Sequence, residues 1–137
     1  MAELFCNGGA MRGGNLHHNV SSHTFLGSVR TAPNYRFFAV RDEFPGLLLT
    51  ETGGASIAGE LYDVPMENIR TDFLPEEPVE LELSVIELAD GRSVMAVVLR
   101  PGLVDSLSSE LTEITDLGGW RAYRGLPDPD ETVSAGA

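Results

Sequence analysis

A strand-like run, Glu3-Leu4-Phe5-Cys6, opens into Asn7-Gly8-Gly9-Ala10-Met11-Arg12-Gly13-Gly14, with four glycines in seven residues. Without a Cβ, glycine lets the backbone take φ > 0 and come close to a ligand. Such a loop gathers free N–H groups in one concavity, a receptor for a carboxylate or a developing oxyanion. Asn7, Gly8, Gly9, Ala10 and Met11 are therefore candidate substrate-binding residues. The lysine that would complete a Walker-type phosphate loop is absent. Cys6, beside those donors, has two readings: a stabilised thiolate nucleophile, or the small buried apolar residue that strand cysteines usually are. In a chain without lysine, Arg36 and Arg121 are natural partners for a substrate carboxylate. Arg121, beside Trp120, equally fits a structural stack. His17, His18 and His23 do not share one face at adjacent positions, so no metal site is expected, and no cofactor is called for. Glu80 and Glu82 fall on one strand face about 7 Å apart. Facing inward they would bind a cation or amine; facing outward they are edge charges, which avoids burying an unpaired carboxylate.

The elements that must position these groups are mostly strands. Strand patterns cover Glu3 to Cys6, Thr24 to Val29, Tyr35 to Val40, Leu47 to Thr50 and Ser56 to Val64. Ala32-Pro33-Asn34 reads as a turn, Phe44-Pro45-Gly46 as a break, and Gly53-Gly54 as a hairpin turn. A helical turn is expected through Asn15 to Val20. A helix is expected to start at Pro65, carry Met66, Ile69, Phe73 and Leu74 on one side, and end at Pro75. From Val79 to Val85 apolar residues alternate, and the phase then flips to Ile86 and Leu88, which predicts a β-bulge. Ala89-Asp90-Gly91-Arg92 is a hairpin turn into the apolar strand Ser93 to Leu99. A helical segment is expected over Val104 to Leu111, and Trp120 and Tyr123 would share a face of a final turn. The sum is an α+β chain, a small mixed β-barrel with a few short helices. It forms one domain over 1–124, with a flexible tail over 125–137.

Composition narrows the partners. The chain has 137 residues, 42% of them hydrophobic, enough for one core. Nine arginines against 21 acidic residues leave a net charge of −12, which would repel a nucleic-acid backbone. The absence of lysine removes Schiff-base and Ser-Lys chemistry. No window has the unbroken apolar length of a membrane helix, no secretory leader pattern is present, and the single cysteine suits a reducing compartment. The expected location is the cytoplasm.

Four stretches occur in order: the strand-loop at the start, Arg30-Thr31-Ala32-Pro33-Asn34-Tyr35-Arg36, Gly53 through Pro65, and Ile114-Thr115-Asp116-Leu117-Gly118-Gly119-Trp120-Arg121-Ala122-Tyr123. Together they resemble the γ-glutamylcyclotransferase-like superfamily, and most closely the C-terminal domain of allophanate hydrolases. The resemblance runs from Leu4 to Tyr123, and Gly-Gly-Trp-Arg-Ala-Tyr is its most specific part. It implies one carboxylate just after a helix as general acid/base, with the glycine loop holding the substrate. Here that region reads Asp72-Phe73-Leu74-Pro75-Glu76-Glu77-Pro78, so either Glu76 or Glu77 would act, and adjacent carboxylates raise one another's pKa. His18 matches a histidine that follows the loop in the allophanate hydrolase domain; a proton shuttle and a packing residue are both open to it.

The chain departs from the cyclotransferases in lacking their Tyr-Gly-(Ser/Thr)-Leu loop and their Asp-x-x-Glu-Gly helix end. Some allophanate hydrolase domains carry a histidine where Ala10 stands. That subgroup is credited with handling the carbamate-type product of an amidase domain, or with structural duty alone. Two expectations follow. The first is an enzyme acting on an amide, carbamate or γ-glutamyl-like small molecule, with Glu76 or Glu77 and His18 moving protons and Asn7 to Met11 with Arg36 binding. The second is a noncatalytic module that docks on a separate amidase. The superfamily resemblance also implies a homodimer.

Overall fold

Leu4, Phe5 and Cys6 are consecutive and all buried, which alternation on a one-sided sheet would forbid. The computed structural model, which describes residues 2–130, gives the reason: this strand lies at the centre of a sheet covered on both faces. Strand β1 (Ala2–Cys6) pairs antiparallel with β5 (Ala58–Val64) on one side and parallel with β7 (Ser93–Leu99) on the other. With β2 (Thr24–Arg30) and β6 (Leu81–Glu87) outermost, the five-stranded order is β2-β5-β1-β7-β6. A second, three-stranded sheet has the order β4-β3-β8, from β3 (Tyr35–Val40), β4 (Phe44–Leu49) and β8 (Leu111–Glu113).

The large sheet curls until its two outer strands nearly meet. Thr31 and Leu88, just past β2 and β6, form an isolated bridge, with Ala32 N donating to Glu87 O at 3.0 Å and Ala89 N to Arg30 O at 2.9 Å. One bridge is not a ladder, so the expected barrel is two sheets around one core rather than a closed cylinder. The small sheet covers the opening. A Cβ on Gly46 of β4 would stand 3.0 Å from the Leu99 Cβ of β7, so the sheets touch there with no room for a side chain.

Several expectations change in the structure. Phe44-Pro45-Gly46 does not break the chain but begins β4, pairing with Val40, Ala39 and Phe38. Proline is tolerated because β4 is an outer strand. The reversal lies earlier, in the three-residue loop 41–43, where Arg41 and Asp42 have φ of 50° and 60° and Glu43 N donates to Val40 O at 2.9 Å. Gly53-Gly54 is no hairpin, since β4 and β5 belong to different sheets and the segment crosses between them. No bulge interrupts β6, which pairs one-to-one with β7 from Leu81–Leu99 to Glu87–Ser93. Its pattern flips because the covered face changes along a twisted strand: Leu81 is buried, Val85 exposed, and Ile86 and Leu88 buried again. The irregularity sits instead in β2, between Phe25 and Gly27.

The helix after Pro65 forms as α1 (Met66–Asn68), continues as a π turn over Ile69–Phe73, and ends in a 3₁₀ turn over Leu74–Glu76. Pro75 sits inside that last turn, where its missing N–H is not needed, so it does not end the segment. Between Pro101 and Glu110 only two 3₁₀ turns form, and β8 follows where helix was expected. Ser106 Oγ donates to Leu103 O at 3.1 Å, the kind of local bond by which serines compete with a helix. A closing helix, α2 (Trp120–Arg124), stacks Trp120 on Tyr123 with ring centroids 5.3 Å apart. Residues 126–130 then return across the glycine loop; 131–137, the rest of the expected tail, lie outside the described residues.

Candidate functional site

The loop leaving β1 is a tight knot. Met11 N donates to Gly8 O at 3.1 Å, Gly14 N to Met11 O at 2.9 Å and Leu16 N to Gly9 O at 2.9 Å. Gly14 lies so close to Gly9 that a Cβ on it would fall 2.0 Å from the Gly9 carbonyl oxygen. Backbone cannot yield as a flexible side chain does, so Gly14→Ala is expected to cost about 1–3 kcal/mol through forced displacement of the loop. A urea melt checks this; an unchanged midpoint would show that the loop relaxes freely. Among the described residues the N–H groups of Gly8, Gly9 and Ala10 donate to no protein acceptor.

Those residues wall a cavity of about 330 Å³ together with Asn7, Phe73 and Glu77. The 3₁₀ turn over Leu74–Glu76 delivers Glu77 there, its N–H bonded to Leu74 O at 3.0 Å. Half-buried, the Glu77 carboxyl is pushed up to about 7, by burial first and by the charge of Glu76 second. Both glutamates line this cavity, but they differ in burial. Glu76 is exposed and held from outside, accepting from Asn19 Nδ2 at 2.5 Å and lying 3.2 Å from His18 Nε2. Cys6 also lines the cavity; it is buried, and its thiol is pushed up by burial and then by Glu77 and Glu60, which favours the small buried apolar residue over the thiolate.

Behind the loop is a group to which the sequence reading gave no role. Glu60 on β5 is fully buried and accepts four hydrogen bonds. Arg12 N and Tyr62 Oη donate to Oε1 at 2.8 and 3.0 Å; Arg12 Nε and Arg121 Nη2 donate to Oε2, both at 2.8 Å. Burial works to raise its pKa, yet the Arg12 N–H, the two guanidiniums and the Tyr62 hydroxyl overcome that and hold it below the usual glutamate range. Arg121 also donates to Arg12 O at 2.8 Å, tying α2 to the loop. Its expected stack on Trp120 is made instead by Arg124, 5.5 Å from the ring centroid. The signal was a carboxylate inside the strand run Gly59-Glu60-Leu61-Tyr62-Asp63-Val64, two residues from a tyrosine on the same face.

Of the remaining candidates, Met11 is buried and faces a second cavity of about 560 Å³ across the loop, shared with Arg12, Trp120 and Arg121. Arg36 is not brought to the loop. It lies on β3 and is paired with Glu113 of β8, Nε to Oε2 at 2.9 Å, because the cross-strand carboxylate is its nearest counter-charge. Glu80 and Glu82 are paired with the chain's own arginines, Arg41 at 2.8 Å and Arg100 at 3.1 Å. No helix among the described residues is long and apolar enough to cross a membrane.

The comparisons with known proteins agree with this architecture. The family described as "Allophanate hydrolase C-terminal domain" matches residues 2–125. A urea amidolyase from Lachancea kluyveri is 30% identical over 105 residues, covering 73% of this chain but only 6% of that protein. The solved structure of a uropathogenic E. coli-specific protein superposes with a TM-score of 0.83 at 32% identity, over 93% of this chain and 98% of that one. The urea amidolyase of Kluyveromyces lactis gives 0.81 at 27% identity, over 90% of this chain and 8% of that one. An AIG2-like protein from Mus musculus, at 0.63 and 24% identity over 96% and 97%, shares the fold. The chain belongs to the allophanate hydrolase C-terminal domain family.

Proposed function

We propose that this domain is a small-molecule enzyme acting on an amide, carbamate or γ-glutamyl-like substrate. The observation that carries the reading is a half-buried carboxyl, Glu77, in one cavity with a glycine loop whose Gly8, Gly9 and Ala10 N–H groups meet no acceptor among the described residues. The substrate carbonyl oxygen would lie against the N–H groups of Gly8, Gly9 and Ala10, which stabilise charge developing there. Glu77, poised near neutrality, would take a proton from the attacking group and return it to the departing nitrogen. Glu76, steadied by His18 and Asn19, is a positioning residue in this scheme: its nearby charge raises the Glu77 pKa and so makes Glu77 a stronger base. Asn7 completes the binding wall, and Met11 and Arg36 have no part in it. The setting would be cytoplasmic, with the domain working as a homodimer.

The test is product analysis by mass spectrometry, with wild type, Glu77→Gln and Glu76→Gln offered γ-glutamyl amides, allophanate and simple carbamates. Turnover that Glu77→Gln abolishes and Glu76→Gln only reduces supports the scheme. Equal turnover by Glu77→Gln and wild type would end it. A second reading, docking on a separate amidase, is favoured by one fact: the related domain is a small part of much larger urea amidolyases. Absence of turnover together with a stable complex with an amidase would decide for that reading.

A further inference from the structure

The larger cavity beyond the glycine loop holds an arginine whose two sides differ. The inner side of Arg12 is fixed: its Nε and backbone N–H are bound to buried Glu60, and its guanidinium lies 4.3 Å from the Phe25 ring centroid. Its outer Nη2 faces the rim, where it meets both carboxylate oxygens of Asp130 at 2.9 Å and Ser28 Oγ at 3.3 Å. Ser28 Oγ also donates to Asp130 Oδ2. The segment leading to Asp130 forms part of the cavity wall through Leu126, Pro127 and Pro129.

We propose that Arg12 Nη2 and Ser28 Oγ form a carboxylate-binding subsite at the rim of the 560 Å³ cavity that Arg12 lines, which the chain's own Asp130 fills as an internal stand-in for the carboxylate of a small ligand. The receptor is preorganised, because Glu60 and Phe25 orient the guanidinium before any ligand arrives. The stand-in is easily displaced, because the Arg12–Asp130 pair is exposed and exposed pairs contribute little. Exchange of one carboxylate for another also leaves the local charge unchanged, which matters in a chain of net charge −12 that otherwise repels anions. Entry of the ligand requires residues 126–130 to swing away from the loop. The subsite lies across the loop from Glu77 and does not depend on Glu77 turning anything over.

Calorimetric titration of the full chain with N-acetylglycine, and with its neutral isostere N-acetylglycinamide, tests this directly. Asp130→Asn removes the competing carboxylate while leaving Arg12 and Ser28 in place. If the segment is closed about nine-tenths of the time, this variant should bind N-acetylglycine about tenfold more tightly than wild type. Ser28→Ala, which does not disturb the Glu60 hub, should weaken binding, and the neutral amide should not bind comparably. Glu77→Gln should bind the carboxylate as wild type does, which separates this subsite from the proposed chemistry. Failure of Asp130→Asn to bind N-acetylglycine more tightly than wild type, or equal binding of the neutral amide, would overturn the proposal.

Discussion

Glu60→Gln is expected to destabilise the domain by about 3–5 kcal/mol, the usual cost of removing one partner from a buried charge cluster. The amide keeps the shape of the side chain but not its chemistry. Oε2 now accepts from both Arg12 Nε and Arg121 Nη2; an NH₂ group placed there would turn donors against donors. Turning the amide over moves the conflict to Oε1, where the Arg12 N–H and the Tyr62 hydroxyl donate. Either way two guanidiniums lose their buried counter-charge. The loss should be felt as one event, because Glu60 links β5, the glycine loop and α2. Urea denaturation followed by tryptophan fluorescence reads it through Trp120, the only tryptophan, which neighbours Arg121. A midpoint unchanged from wild type would show that the hub is ornamental.

The same hub predicts acid sensitivity. The folded pKa of Glu60 lies below the ordinary glutamate value of 4.5. Its contribution is therefore complete above about 4.5 and is lost as pH falls through the lower, folded value. Wild type should lose stability over that acid range more steeply than Glu60→Gln does.

Glu77→Gln should move activity and stability in opposite directions. If Glu77 moves the proton, the variant loses about 10²- to 10⁴-fold in turnover. The kcat/KM profile of wild type should show a limb with its inflection near pH 7, absent from the variant. Stability goes the other way because the folded pKa is raised from 4.5 to about 7. Below 4.5 the carboxyl is protonated folded or unfolded, and no penalty exists. Between 4.5 and 7 the unfolded chain releases the proton more readily, so stability falls as pH rises; above 7 the full penalty applies. For a half-buried group this amounts to on the order of 1–2 kcal/mol. At pH 8 the variant should therefore melt higher than wild type, and at pH 4 the difference should vanish. A variant that is less stable than wild type at pH 8 would contradict the burial argument.

How much of this was legible beforehand follows from what each residue depends on. The glycine loop was legible because four glycines and a preceding apolar strand are local facts, and the knot they form uses bonds within residues 8–16. The hairpin at Asp90-Gly91 was legible for the same reason: Gly91 has φ of 90°, and the turn closes on itself with Leu88 N bonded to Arg92 O at 2.9 Å. The pair Glu76-Glu77 was recognised as a pair through the family resemblance, but not which member is the more buried. Both line the cavity, and the turn over Leu74–Glu76 separates them by burial, half-covering Glu77 and leaving Glu76 exposed to His18 and Asn19.

Arg36 shows the opposite case. Its residue type fitted a carboxylate receptor, yet β3 pairs with β8, and a register that sets Phe38 against Glu113 brings that carboxylate within reach first. Nothing local in Tyr35-Arg36-Phe37 encodes a partner 77 residues away. Phe44-Pro45-Gly46 is similar: proline and glycine read as a break until the strand is known to lie at an edge.

By itself the sequence determined the strand-rich α+β class, the glycine-rich loop after the first strand, the family, and the absence of lysine chemistry. All of these rest on composition or on neighbours along the chain. The tertiary structure alone decided that Glu60 is the hub, that Glu77 is half-buried while Glu76 stays exposed, that Arg121 serves Glu60, and that Asp130 sits on Arg12. Each of those outcomes is an encounter between residues distant along the chain or a choice between burial and exposure. Burial and counter-charge are properties of the packed sheets, and they decide which of several identical residue types carries the chemistry.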